Sequence, residues 1–69
     1  MLGTWVFVHE SGAWHTYHGP VFVNQEKAEA WAVLVVENEA ANGRESAVGV
    51  WEHSTGRMVY ETRMMRIAA

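Results

Sequence analysis

Four histidines, His9, His15, His18 and His53, carry the most versatile chemistry in this chain. Neutral imidazole ligates transition metals, and the side chain titrates near 6.5. Spacing decides whether any of them can work together. His15 and His18 would share one face of a helix, but on a strand their odd separation sends them to opposite faces. His9 and His18 share a face in the strand register derived below. They would nevertheless lie about 13 Å apart, at ~3.3 Å per residue. Zinc needs ligand atoms ~2 Å from the ion. His53 would approach His9 only if the two hairpins are neighbours. The pattern predicts no metal and no cofactor, and reads instead as strand histidines shielding aromatic rings.

Nucleophilic catalysis has as little to build on. Ser11, Ser46 and Ser54 lack the strand-to-helix elbow of a serine nucleophile. His9 with Glu10, and His53 with Glu52, are strand neighbours and point apart. No glycine-rich turn leads from a strand into a helix, so there is no phosphate cradle. Trp5, Phe7, Trp14 and Trp51 could stack single-stranded bases on an open sheet. Such platforms add a positive groove, whereas five Lys and Arg residues stand here against eight Asp and Glu, for a net charge of −3. An enzyme is not expected, nor a nucleic-acid partner.

The elements that position these residues read as one α+β domain over residues 1–69. Residues 3–10, GTWVFVHE, and 13–18, AWHTYH, are aromatic and β-branched and form a hairpin across Ser11-Gly12. Pro20 cannot donate to a ladder and interrupts. Val21-Phe22-Val23 should extend the second strand beyond it. Asn24 is an N-cap, Glu26 and Glu29 suit the positive end of a helix, and Asn42-Gly43 stops it. Residues 46–53 and 57–65 read as a second hairpin about Ser54-Thr55-Gly56. The order is β-β-α-β-β, with an antiparallel sheet of about four strands and one helix packed on one face.

Between Lys27 and Glu37 the helix carries Trp31-Ala32-Val33-Leu34-Val35-Val36, with no polar residue for more than a turn. At 100° per residue, Ala28, Trp31, Leu34 and Val35 gather on one side and should meet the sheet. Val33, Val36 and Ala40 then point outward among Glu26, Glu29 and Glu37. The sheet shows the same surplus. A two-residue turn at Ser11-Gly12 pairs His9 with Trp14, Phe7 with Thr16 and Trp5 with His18, so one face is aromatic. A turn at Thr55-Gly56 would pair Trp51 with Tyr60 and His53 with Met58, on a face shared with Ala47, Gly49, Thr62 and Met64. Changing that turn's length would shift the register, and a slip of one residue reverses every facing.

A chain of 69 residues without cysteine has a thin core and no disulfide to reinforce it. Burying a further ~600 Å2 of apolar area contributes on the order of 15 kcal/mol before association costs. The expected role is a non-enzymatic protein-binding module, homodimeric as most soluble oligomers are symmetric. Two interfaces follow. One is the helix face of Val33, Val36 and Ala40 with Glu29 and Glu37, whose acids would steer a basic protein partner. The other is the sheet face of Trp5, Phe7, Trp14 and Trp51. A second role, for the aromatic and His-bearing face, is to hold a small ligand or a metal. No stretch reads as a signal peptide or a bilayer span, which points to a cytoplasmic protein with no membrane partner. In size and composition the chain resembles the small acidic accessory proteins encoded by phages and mobile elements. Inhibitors that block a partner's surface are among those proteins.

Overall fold

The computed structural model describes residues 1–65. Strands β1 (Leu2–Glu10) and β2 (Ala13–His18) form the first hairpin. Helix α1 (Gln25–Ala41) follows, then β3 (Glu45–Glu52) and β4 (Met58–Met64). All neighbours are antiparallel in one sheet of order β2-β1-β3-β4, and α1 packs on one face. The expected order and architecture therefore hold, and β1 and β3 are the central strands.

The first hairpin has the expected register: Trp5 faces His18, Phe7 faces Thr16 and His9 faces Trp14. Its turn explains why. Ser11 and Gly12 both have positive φ, 54° and 80°. That conformation matches the twist of the flanking strands in a two-residue loop. Beyond β2 the expected extension shrinks to one bridge, Phe22 exchanging two 2.8 Å backbone hydrogen bonds with Leu2. Pro20 has left the ladder, and its carbonyl accepts the buried Thr4 hydroxyl at 2.7 Å.

The second hairpin departs from expectation. Glu52 N–H donates to the Arg57 carbonyl at 2.9 Å, and Gly56 turns at φ 71°, so the loop is longer than a two-residue turn. Trp51 faces Met58, Val50 faces Tyr60, and the ladder shifts between them. Val59 is the extra residue of this bulge, and both Val59 and Tyr60 pack on the core. Tyr60, Thr62 and Met64 consequently lie on the helix side, opposite Val50, Val48 and Ser46, while Glu61 and Arg63 lie on the other face. One added residue reversed the facing of the strand beyond it.

Helix α1 begins and ends as its residues predict. The Asn24 side chain accepts the Lys27 N–H at 3.0 Å. At the other end Gly43 (φ 78°) donates to the Ala40 carbonyl at 3.0 Å and Arg44 N–H to the Glu39 carbonyl at 2.9 Å. These two bonds close the last turn on a left-handed glycine.

The facing of α1 is the main correction. Its buried row is Ala28, Ala32, Val36 and Ala40, one residue every four. Val36 and Ala40, expected on the outer face, are each 1% exposed, whereas Leu34, expected inside, is 64% exposed. Size rather than hydrophobicity selects the row. Small side chains let the helix settle close on β3, and interlocked surfaces at that distance have no room for a leucine. Bulkier Trp31 and Val35 flank the core from the side. Trp31 lies over Gly19, where any Cβ would collide with its ring, and 6.1 Å from the Phe22 ring. The core is Leu2, Val6 and Val8 of β1, Val48 and Val50 of β3, and this helix row.

Adding bulk at the seat should cost more than removing it from the outer face. Ala32→Leu is expected to lower unfolding free energy by about 1–3 kcal/mol. Leu34→Ser should change it by no more than ~0.5 kcal/mol. Chemical denaturation of both variants checks the facing.

Candidate functional site

The helix lies over β3 and β4 and the near side of β1, and its backbone stays clear of β2. Two surfaces are left. One is the whole sheet face opposite α1. The other is a shallow trough beside β2 on the helix side.

Alternation builds the open face. Residues Leu2, Thr4, Val6 and Val8 of β1 turn to the core, so Trp5, Phe7 and His9 turn away. Trp14, Thr16 and His18 of β2 lie beside them, as do Ala47, Gly49 and Trp51 of β3. The rings pack sideways on one another. Trp5 meets His18 at 3.8 Å between centroids and stands edge-on to Trp51 at 6.5 Å; His9 meets Trp14 at 5.1 Å. Trp51 folds down over Gly49, whose missing side chain leaves the ring its place. Charge lies at the margin of this face, where Glu45 of β3 stands opposite His9 and meets Arg63 of β4 at 3.6 Å, and where Glu61 lies opposite Gly49. An aromatic centre with a polar margin is how protein interfaces are built.

The expected sheet residues are thus brought together. Trp5, Phe7 and Trp51 are half-buried by their neighbours and Trp14 is 49% exposed at the β2 side. The expected helix set is not a surface. Val36 and Ala40 are in the core, Val33 and Glu29 are half-buried, and Glu37 alone is exposed. His18 and Thr16 belong to the open face through their register with Trp5 and Phe7, which the Ser11-Gly12 turn already implies.

The histidines do not converge. His15 faces the helix side opposite Val8 and His18 the open side opposite Trp5. His53 sits over Gly3, six residues from His9 along β1, or roughly 20 Å. Among the described residues no three His, Asp or Glu side chains gather closely enough to hold a metal ion. Among them, too, no helix is long and apolar enough to cross a membrane.

The trough beside β2 is lined by Val8, Glu10, His15, Tyr17, Glu39 and Arg44. Sequence reasoning passed over Glu39 and Arg44, which lie five residues apart across the helix stop. Arg44 grips Glu39 with two nitrogens, at 3.1 Å through Nε and 2.9 Å through Nη2, and reaches Glu10 at 3.5 Å. It ties the end of α1 to the tip of the first hairpin. Donating these hydrogen bonds to the Glu39 carboxylate holds the Arg44 guanidinium protonated beyond its ordinary range. Tyr17, in the same trough, has its phenol pushed above the usual value of 10.0, first by partial burial and then by the Glu39 charge, against a smaller opposing effect of Arg44.

No protein-family model, no curated protein and no solved structure matches this chain. Its surfaces are therefore read from their own chemistry.

The Tyr17 environment has a consequence at alkaline pH. Its folded-state ionisation lies above that of the unfolded chain, so this group leaves stability untouched below pH 10.0 and diminishes it as pH climbs toward the folded midpoint. In a Tyr60→Phe background, phenolate absorbance should titrate above pH 10.0. Glu39→Gln should bring the midpoint down without restoring it fully, because burial remains. A midpoint at the ordinary value in both proteins would place the Tyr17 ring in open water.

Proposed function

We propose that this chain is a small, non-enzymatic protein-binding module that works as a homodimer and acts by occupying another protein's surface. The observation that carries this reading is the two-sided apolar character of the central strands. β1 places Leu2, Val6 and Val8 under the helix, and Trp5 and Phe7 on the far side. β3 does the same with Val48 and Val50 against Trp51. Strands apolar on both faces are the pattern of sheets covered on both faces. Here one face has a helix, and among the described residues nothing covers the other.

Large aromatics rimmed by charge are the side chains that dominate association energies. They also suit a domain whose own core is thin. The outer surface of α1 bears Glu26 and Glu37, both exposed, which would draw a basic target toward the module. An accessory or inhibitory role in the cytoplasm, of the kind phages and mobile elements encode, belongs to the same proposal.

Sedimentation equilibrium from micromolar to millimolar protein should give the mass of a dimer. Trp14→Ser should weaken association roughly tenfold or more, while native stability falls by no more than ~1 kcal/mol, the share of a cross-strand contact with His9 on a half-exposed ring. A protomer mass at every concentration would overturn the homodimeric reading.

A further inference from the structure

We propose that two copies of this chain join along β2, antiparallel, with Thr16 facing Thr16 across a two-fold axis. The inference rests on the homodimeric reading above and names its seam.

The ladder sets which backbone groups are free. Gly19 N–H donates to the Thr4 carbonyl at 2.9 Å. Backbone direction alternates along a strand, so Tyr17, His15 and Ala13 also turn their N–H and C=O toward β1. Trp14, Thr16 and His18 turn theirs outward, into water. β2 is an outer strand of the sheet, and every residue in it is exposed.

Sheets usually guard such edges with lysine, proline, inward charge or a bulge. The opposite edge is guarded in this way. β4 has its bulge at Val59 and carries Glu61 and Arg63. The β2 edge has none of these devices. Its sequence, Ala13-Trp14-His15-Thr16-Tyr17-His18, holds no proline, no lysine and no carboxylate. It therefore sets neither lysine against lysine nor carboxylate against carboxylate when it meets a copy of itself.

Symmetry then limits the register. A two-fold axis perpendicular to the sheet keeps the open face of one copy level with that of the other. Paired residues must therefore point the same way, and those with outward backbone groups must meet. Centring on Thr16 satisfies both conditions. Trp14 of each copy meets His18 of the other, and the two Thr16 residues meet each other. Each of these pairs exchanges two hydrogen bonds, about six in all. Centring on His15 instead pairs Trp14 with Thr16 and leaves His18 without a partner inside the strand.

The Thr16 register also suits the side chains. His18 already stacks on Trp5 at 3.8 Å. Trp14 of the second copy would extend that stack, joining the two aromatic faces into one. On the other side His15 would lie opposite Tyr17. The helix leaves this side of β2 open, so two copies can approach without collision between their helices. The product is a single sheet made of two four-stranded sheets, with one continuous aromatic surface for a protein target.

Two variants at Thr16 test the seam. Thr16→Pro removes an outward N–H and spares the bonds to β1, since an edge strand tolerates proline whose nitrogen faces water. Thr16→Lys places two ammonium groups opposite each other at the axis and needs no backbone change. Both should sediment as protomers where the parent is a dimer, with parental far-ultraviolet circular dichroism. Glu61→Lys, at an exposed position of β4, should remain dimeric. If either folded Thr16 variant keeps the dimer mass, the β2 seam is wrong. Should dissociation then follow Trp51→Ser instead, the homodimer stands and its seam is the open face. A parent that is a protomer throughout defeats both readings at once.

Discussion

A helix can approach a sheet only as closely as its contact residues allow, and the rest of this molecule follows from how close α1 comes. Ala28, Ala32 and Val36 present little more than methyl and isopropyl groups to Val6, Val48 and Val50. A close seat buries much with few atoms, which a chain of 69 residues needs. It also confines the helix to the β3 and β4 side of the sheet. The wide aromatic Trp31 is turned outward from that seat, toward Gly19 and Phe22, where it seals the joint between β2 and the helix.

Among the described residues, the same placement leaves β2 and one entire face without cover. The open face answers with lateral packing: Trp51 on Gly49, Trp5 against His18, His9 against Trp14. Such contacts hide part of each ring and hold the rest in a fixed array. Preorganised aromatics lose little freedom on binding, which favours affinity. In the proposed binding role, this fixed order would serve the surface as well as the fold. Arg44, gripping Glu39 and reaching Glu10, holds the hairpin tip against the helix end and so keeps β2 at a set angle.

Legibility from sequence tracks how local each constraint is. Ser11-Gly12 fixes a two-residue turn, so every pair from Trp5–His18 to Glu10–Ala13 could be written down beforehand. Asn24 and Asn42-Gly43 marked the helix ends for the same reason: caps act within a turn. The register of the second hairpin is not legible, because Ser54, Thr55 and Gly56 are compatible with more than one loop length and the bulge at Val59 leaves no mark in residue type. Trp31 and Leu34 are the greasiest large residues of the helix, so periodicity centres its apolar side on them, away from the row that meets the sheet. Close contact with a sheet rewards small residues, and that preference depends on a partner surface that periodicity does not contain. At the candidate site, Trp5, Phe7, Trp14 and Trp51 could be grouped from alternation and turn type. The Glu39–Arg44 clamp could not, since it closes across the end of a helix.

The proposed association along β2 would close the unguarded edge and join the two open aromatic faces into one surface, which a protein target would then cover. Hydrogen exchange of individual amides, followed as protein concentration rises, tests this most directly. His15 and Tyr17 amides bond to β1 and should be protected throughout. Those of Trp14, Thr16 and His18 face water in a protomer and should gain protection with concentration. Rapid exchange at all three, at every concentration, would contradict it.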